Sequence, residues 1–159
     1  MKKIQLSGKN SHLFTLVDDE DYEEVRKSCW YLTKGYAVRG YFKNNKYGKR
    51  LQRVILKNPI GLVDHKNHNK LDNRKQNLRI VTNQQNVWYQ RKNRVLTSRF
   101  KGVSWYKKDK KWQVQITFNK KDIYLGRFED EKRAALAYNV AAQKYFGEYA
   151  YLNKIKESV

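Results

Sequence analysis

Cysteine is almost absent from this sequence, which has a single one, Cys29, in 159 residues. One cysteine cannot form an internal disulfide or a cysteine-based zinc site, and this favours a cytosolic protein. Because Cys29 begins an apolar run that continues through Leu32, we expect a buried thiol rather than a nucleophile. Long hydrophobic stretches are also lacking, since no apolar run could span a bilayer and no segment has the hydrophobic region of a signal peptide. We therefore expect a protein that works in the cytoplasm.

Acidic residues are scarce as well. The sequence has 15 Asp and Glu against 35 Lys and Arg, so its formal net charge is +20. Such an excess predicts a polyanionic partner, either a nucleic acid or an anionic membrane surface. Aromatic residues make up 14% of the chain and are scattered among the basic ones. That mixture suits base stacking and sugar contacts better than lipid, and it favours nucleic acid.

The few acids are concentrated in one short segment. Six of the 15 lie within residues 18–24, and none occurs from Val25 through Val63. The acid-rich segment favours a short helix over residues 19–27. The acid-free stretch predicts either a surface that faces phosphates or a solvated hairpin face. Its candidates for phosphate contacts are Arg39, Arg50 and Arg53.

Strands are predicted for most of this basic stretch. Residues 36–38 and 51–56 are β-prone, and a polar turn over residues 43–49 separates them. A second turn at residues 58–61 contains the chain's only proline and leads into a further strand. The first part of the chain should therefore be rich in strands.

A helix should follow that last strand and its return strand. Thr82 and Gln85 have the spacing of a capping box, which predicts a helix from Asn83 to about Lys92. Residues 91–99 have no clear period and are typical of a basic linker.

The remaining third of the chain predicts a small antiparallel sheet packed on one helix. Residues 112–118 alternate apolar with polar side chains, which is typical of a sheet with one face in water. Flanking strands are predicted at residues 102–106 and 123–126. Asp130 is placed to cap a helix over residues 131–146, in which alanines at spacings of three and four predict close packing on the sheet.

The side chains with the clearest chemistry lie within residues 63–86. They are a carboxylate, an imidazole and two amides, from Asp64, His65, Asn77 and Asn86. A strand hairpin followed by a helix packed across it would bring Asp64 and Asn86 together, and their oxygens suit Mg²⁺ or Mn²⁺. His65, with an ordinary pKa of about 6.5, could accept a proton from water near neutral pH. On so basic a chain, this pattern predicts hydrolysis of a phosphodiester with one metal ion in the site.

Residues 63–86 resemble the HNH endonuclease motif, in the ββα-metal fold of phage and intron-encoded homing endonucleases. The resemblance implies that Asp64 and Asn86 are the metal ligands and that His65 is the general base. It also implies that Asn77 orients the histidine. The expected products are a 3′-hydroxyl and a 5′-phosphate end.

Three further positions bear on this resemblance. Arg74 ends the segment 72–74, which matches the family's D-N-R loop, and it is another candidate for DNA contact. Gln52 stands where many relatives have histidine, which leaves a weakened or inactive site open. His68 lies in a polar loop, where contact with solvent or phosphate is favoured over a role as a second base.

Residues 99–153 resemble the apetala-two or ethylene-response-factor DNA-binding domain of plants, through Lys101-Gly102-Val103, Tyr124-Leu125-Gly126-Arg127-Phe128 and the closing Leu152-Asn153. In that family a three-stranded sheet lies in the major groove and one helix backs it. The positions that match its DNA contacts are Lys101, Ser104, Tyr106, Gln115, Thr117, Asp122, Tyr124 and Arg127. Solvated strand residues are the alternative at each position. The plant proteins have arginines at several of them, so we expect a different base preference here.

Taken together, these patterns predict an α+β protein. An N-terminal ββα-metal nuclease domain with a β-rich basic extension, residues 1–95, would join a three-stranded antiparallel sheet packed on one helix, residues 96–159. The ββα-metal motif would span about residues 61–92. The resemblances imply a site-specific homing endonuclease of double-stranded DNA, with one Mg²⁺ or Mn²⁺ per active site, encoded by a phage or mobile intron and acting in the host cytoplasm.

Alternatives to this function stay open. One is a sequence-specific DNA-binding regulator with an inactive nuclease domain, and another is a protein that binds or cleaves RNA. The patterns imply no protein partner and are compatible with a monomer or a homodimer. They leave the target sequence open, and also whether one strand or both are cut.

Overall fold

The structure is a computed structural model that describes residues 1–40, 48–90 and 97–155. Short helices and small antiparallel sheets make up the described part, which is α+β as predicted. The chain divides into two compact units, Met1–Asn83 and Gln84–Val159. The predicted boundary between residues 95 and 96 and most of the predicted turn and linker, at 43–49 and 91–99, lie outside the described residues. None of the described helices is long and apolar enough to cross a membrane.

In its described residues, the first unit consists of three small sheets and short helices. The strands that the structure describes are β1 (Lys2–Gln5), β2 (Phe14–Val17), β3 (Tyr31–Thr33), β4 (Tyr36–Arg39), β5 (Lys49–Arg50), β6 (Leu62–His65) and β7 (Leu78–Val81). They pair as β1 with β2, β3 with β4 and β5, and β6 with β7, all antiparallel. The α-helices of this unit are α1 (Asp19–Val25) and α2 (Leu51–Ile55). Helix α1 confirms the helix predicted from the acids at residues 19–21, which stand in its first turn.

Helix α2 corrects the strand predicted over residues 51–56. Its Leu51, Gln52 and Ile55 are buried, and Leu51 and Ile55 are spaced by one helical turn. Both join the core of the first unit around Trp30. Burial on one side of a short helix outweighed the β-propensity of residues such as Val54 and Ile55, because propensity is a weak preference that packing overrides.

Cys29 is exposed, and the buried thiol predicted for it is wrong. Its neighbour Trp30 occupies the core instead, with its ring fully buried and its indole N–H donating to the Val25 carbonyl at 2.8 Å. Since the large indole points inward, the smaller Cys29 is left at the surface.

The second unit confirms the predicted sheet and helix. Its strands are β8 (Val103–Tyr106), β9 (Lys111–Phe118) and β10 (Lys121–Phe128), in the order β10-β9-β8, and its long helix is α4 (Glu131–Phe146). The Asp130 side chain accepts a hydrogen bond from the Arg133 N–H, so the N-cap is as predicted. Gly102 has a φ of +76°, and a side chain there would collide with the ring of Tyr138, which explains the glycine.

Helix α3 (Asn83–Tyr89) begins where the capping box predicts and lies, except for its first residue, in the second unit. Its Trp88 stacks on Phe146 at 4.7 Å and on Phe118 at 5.7 Å between ring centroids. Lys101 holds the other end of the helix, because its ammonium donates to the carbonyls of Val87, Trp88 and Gln90 at 2.6–3.3 Å. Burial lowers the pKa of Lys101 to about 8, so the ammonium persists at neutral pH.

We expect Trp88→Ala to destabilise the second unit by about 3 kcal/mol, because the stacked ring loses its contacts and leaves a cavity. Denaturant unfolding followed by circular dichroism gives the change in free energy of unfolding. Tyr124→Ala is the matched control, since that aromatic ring is 58% exposed. An equal loss in both variants would contradict the packing role of Trp88.

Candidate active site and exposed sheet face

Asp64 and His65 occupy the last two positions of β6, in the hairpin with β7. Asp64 is paired in register with Arg79, and His65 with Leu78. Neighbouring strand residues project to opposite faces, so the carboxylate and the imidazole leave the hairpin on different sides. The two side chains therefore project from different faces of the hairpin, although the Asp64 carboxylate is close enough to act on the pKa of His65.

The His65 ring is buried, with 4% of its surface exposed. Its Nε2 lies 3.2 Å from Asn73 Oδ1, and the Tyr36 ring centroid is 6.1 Å away. Burial lowers the pKa of His65 below its ordinary value, outweighing the hydrogen bond with Asn73 and the nearby carboxylates of Asp64 and Asp72, which raise it. The imidazole is therefore neutral at pH 7, as a general base must be.

Asp64 forms an ion pair with the residue opposite it. Arg79 donates from Nε and from its terminal nitrogen to Asp64 Oδ2, at 3.1 and 3.0 Å, and both side chains are mostly buried. The pair places a cation beside the predicted metal ligand. Arg79 was not among the residues predicted from the sequence.

Asn77 closes the loop that connects β6 to β7. Its Oδ1 accepts from the Asn67 backbone N–H at 3.0 Å, and its Nδ2 donates to the Asp72 carbonyl at 2.7 Å. Within the described residues, the hydrogen bonds of the Asn77 side chain are to the loop backbone. The hydrogen-bond partner of His65 is Asn73. The predicted role of Asn77 in orienting His65 stays a prediction.

Asn86 lies in the middle of α3, and its side chain is half-buried. It belongs to the second unit, whereas Asp64 belongs to the first. Its predicted role as a metal ligand stays a prediction. Among the described residues, no group of three or more His, Cys, Asp or Glu side chains could hold a metal ion, but the predicted ligand pair includes an amide.

Gln52, which stands where many relatives have histidine, is buried in α2. Its Oε1 has no hydrogen-bond partner in the part of the chain that the structure describes. His68 lies in the β6–β7 loop in a left-handed conformation, with a φ of +61°. Its side chain is half-buried, and the residue lies outside the paired positions of β6 and β7.

Of the four arginines in the first unit that are predicted to contact DNA, three are bound within the protein. Arg39 donates to Ser28 and lies over Trp30, Arg53 donates to the Pro59 and Gly61 carbonyls, and Arg74 makes a two-pronged ion pair with buried Asp72. The Arg74 guanidinium holds the pKa of Asp72 below its ordinary value. These contacts give the three side chains a structural role, and their predicted DNA contacts stay predictions.

Arg50 is placed differently. It is exposed, and its guanidinium lies 4.3 Å from the centroid of the Tyr36 ring, which also has the Lys70 ammonium at 4.4 Å. The same ring is the aromatic neighbour of His65. Two cations held on an aromatic ring beside the histidine form a positive surface suited to a phosphate. We call Tyr36, Arg50 and Lys70 the basic cluster.

The sheet of the second unit has one face covered and one exposed. In β9, Val114 and Ile116 are buried and Gln115 and Thr117 are exposed, which is the predicted alternation. Cross-strand partners share a face, and the register pairs Ser104 with Gln113, Gln115 with Tyr124, and Thr117 with Asp122. The register thus collects on one face the predicted contacts Ser104, Tyr106, Gln115, Thr117, Asp122, Tyr124 and Arg127, which we call the open sheet face.

Several predicted contacts of this unit are engaged by the protein itself. The Thr117 hydroxyl donates to the Asp122 carboxylate at 2.6 Å. Arg127 lies 3.8 Å from the centroid of the Tyr106 ring and donates to Asp109 and Gln113. Lys101 is the residue that caps α3, and its three N–H bonds all have carbonyl acceptors. The ammonium would have to leave those carbonyls to reach a phosphate.

The sequence did not predict a role for Asn73 or Thr15. Asn73 is hydrogen-bonded to His65, and Thr15 is hydrogen-bonded to Asn73. Asn73 had a signal, since it is the centre of the 72–74 segment. Thr15 had none, because nothing near residue 15 in the sequence points to a site 50 residues later.

Comparisons with known proteins agree on one family. A family model described as HNH endonuclease matches residues 59–88, which include the β6–β7 hairpin and most of α3. A protein of Acanthamoeba polyphaga mimivirus, named as an uncharacterized HNH endonuclease, is 32% identical over 154 residues. The match covers 94% of this chain and 80% of the viral protein, so the similarity extends well beyond the motif.

Proposed function

The chain belongs to the HNH endonuclease family, and on that basis we propose that it is a site-specific DNA endonuclease of homing type. It hydrolyses phosphodiester bonds with His65 as the general base and with one divalent metal ion, Mg²⁺ or Mn²⁺. The observation that carries the proposal is His65 itself. It ends a hairpin strand beside a carboxylate, its burial keeps it neutral at pH 7, and its family motif covers the hairpin.

Asp64 and Asn86 would hold the metal ion. A carboxylate oxygen with a neutral amide oxygen is a donor set that Mg²⁺ and Mn²⁺ accept. When bound, the ion stabilises negative charge on the phosphoryl and leaving oxygens. Arg79 competes with it for the same carboxylate, since its two bonds go to Asp64 Oδ2.

His65 supplies the proton transfer. A water molecule gives a proton to the imidazole, and its oxygen bonds to phosphorus as the bond from phosphorus to the 3′ oxygen breaks. The leaving oxygen takes a proton from a second water molecule and becomes a 3′-hydroxyl, and the other end keeps a 5′-phosphate. The basic cluster is suited to hold the DNA backbone beside the imidazole.

The second unit docks on duplex DNA through the open sheet face, in the manner of the apetala-two type domains that it resembles. Exposed Gln115 can form two hydrogen bonds with an adenine edge, and Ser104 and Thr117 can bond to either base type. Exposed Tyr124 adds an aromatic contact. Joined to the nuclease unit through one chain, this domain raises the local concentration of the target and so the overall affinity.

Cleavage of supercoiled plasmid DNA tests the proposal. We expect nicked or linear product with Mg²⁺ or Mn²⁺ and none after chelation with EDTA, since the metal stabilises the charge of the transition state. Direct resealing of the nicks by DNA ligase would verify the 3′-hydroxyl and 5′-phosphate ends. Ends that need phosphatase or kinase treatment before ligation would contradict the mechanism.

The same preparation decides between the nuclease and the alternative, a DNA-binding regulator with an inactive site. The ion pair of Asp64 with Arg79 and the shielded His65 ring are the observations that favour that alternative. It requires tight binding to duplex DNA without cleavage under any divalent metal. Metal-dependent cleavage that is lost with His65 rejects it.

A further inference from the structure

A chain of buried hydrogen bonds connects the N-terminal hairpin to His65. Thr15 Oγ1 donates to the Leu71 carbonyl at 2.9 Å, Asn73 Nδ2 donates to Thr15 Oγ1 at 2.8 Å, and Asn73 Oδ1 lies 3.2 Å from His65 Nε2. Thr15 and Asn73 are fully buried. Thr15 comes from β2, 50 residues before the histidine and outside the matched family motif at 59–88.

The donor and the acceptor of each of these hydrogen bonds are fixed by the last acceptor in the series, the Leu71 carbonyl. The Leu71 carbonyl can only accept, so the single proton of the Thr15 hydroxyl is committed to it. Thr15 Oγ1 must then accept from Asn73, which turns the amide nitrogen toward Thr15 and the amide oxygen toward His65. An amide oxygen can only accept, and therefore His65 Nε2 carries a proton.

A neutral imidazole has one protonated and one unprotonated nitrogen. With the proton held on Nε2, the lone pair lies on Nδ1. In the part of the chain that the structure describes, the His65 ring is hydrogen-bonded through Nε2, to Asn73 Oδ1. We propose that Thr15 and Asn73 are positioning residues that fix the tautomer of His65, so that Nδ1 is the atom that accepts the proton from water. This role rests on the proposed function.

The β1–β2 hairpin is built to hold this relay in place. The backbone of Leu16 donates to the Leu71 carbonyl at 2.8 Å, and the Asn73 N–H donates to the Leu16 carbonyl at 2.9 Å. Both bonds are made by Leu16, the residue after Thr15, and they hold the 71–73 loop against β2. The N-terminal hairpin thus becomes part of the catalytic apparatus and not only an extension of the fold.

Removal of the Thr15 hydroxyl should release the amide. With no acceptor opposite Nδ2 except the Lys70 carbonyl at 3.5 Å, the Asn73 side chain can rotate and present its nitrogen to His65. An N–H facing Nε2 requires a lone pair there, and the histidine proton moves to Nδ1. The nitrogen that should act as base is then blocked in the rotated population.

Thr15→Val and Thr15→Ser form the matched pair that tests this. Valine keeps the shape and loses the hydroxyl, whereas serine keeps it. We expect Thr15→Val to lower kcat about tenfold with little change in KM, as loss of a partner that orients a histidine does, and Thr15→Ser to retain kcat within about twofold. An equal loss in both, or a loss in KM alone, would overturn the relay.

Nitrogen-15 NMR of histidine-labelled protein reads the tautomer without any cleavage. At about pH 9, where free imidazole is neutral, we expect wild-type His65 to be protonated on Nε2, and Thr15→Val to show a population protonated on Nδ1. Asn73→Asp keeps an acceptor opposite Nε2 and should keep the wild-type tautomer, whereas Asn73→Ala should not. His65→Gln identifies the His65 signals by their absence.

The NMR result separates the relay from the function on which it rests. A wild-type His65 protonated on Nδ1 would overturn the relay even if cleavage depends on the histidine. A wild-type Nε2 proton that Thr15→Val leaves unchanged would overturn the role of Thr15. Cleavage that survives loss of His65 would instead sink the proposed function, whatever tautomer the ring adopts.

Discussion

His65→Ala is expected to lower the rate of plasmid cleavage by about 10²- to 10⁴-fold, the usual contribution of a positioned general base. The variant removes the only buried imidazole in the described part of the chain, which is the proposed general base. Binding to DNA should change little, because the ring is almost fully shielded from solvent. Single-turnover cleavage with enzyme in excess measures the chemical step separately from binding.

His68→Asn is the matched control for this experiment. His68 lies three residues after His65, in the β6–β7 loop, and asparagine tolerates its left-handed backbone better than alanine does. We expect the control to keep its cleavage rate within about threefold, which corresponds to a loss well under 1 kcal/mol. A larger loss in His68→Asn than in His65→Ala would move the general base to the loop histidine. Full cleavage activity in both variants would show that neither histidine is the general base.

Affinity for duplex DNA is expected to fall about 10³-fold or more as the salt concentration rises from 50 to 200 mM, if six or more phosphates are neutralised. The formal charge of +20 and the acid-free stretch from Val25 through Val63 supply the cations. Each phosphate contact releases counterions from the DNA, and added salt opposes that release. Fluorescence anisotropy with a labelled duplex gives the dissociation constant at each concentration.

Arg50→Ala and Arg53→Ala make this prediction specific to residues. Arg50 is exposed in the basic cluster, so its loss should reduce the slope of log affinity against log salt by about one. The Arg53 guanidinium is engaged by the Pro59 and Gly61 carbonyls, and its loss should lower stability while leaving the slope unchanged. A flat salt response in the wild-type protein would contradict phosphate-dominated binding.

Much of the second unit was predictable because its signals are local. The alternation in residues 112–118 became β9, and the Asp130 cap with the alanine spacing became α4, with the predicted bounds of 131–146. Strand β10 extends beyond the predicted 123–126 to Lys121–Phe128, because the flanking residues are held by pairing with β9. The hydrogen bonds that extend a strand are made with its partner strand, and a short stretch of sequence does not reveal where that partner ends.

The first unit was harder to predict, since its elements are short and depend on a shared core. Residues 51–56 had the composition of a strand but form α2, because Leu51 and Ile55 pack together under Trp30. Cys29 was assigned to the core from its apolar neighbours, but the indole of Trp30 took that place. Both errors have one cause, which is that several segments compete for a small interior.

The residue types and spacings alone determined the charge, the hairpin with Asp64 and His65, and the open sheet face, and they predicted a nucleic acid as the partner. Each depends on residues close together in the chain or on a sum over all of them. Only the tertiary structure decided that Arg79 pairs with Asp64, that Lys101 caps a helix, and that Thr15 reaches His65 through Asn73. Hydrogen bonds between residues up to 58 positions apart exist only after the chain has folded, because their direction depends on which buried donors and acceptors then meet.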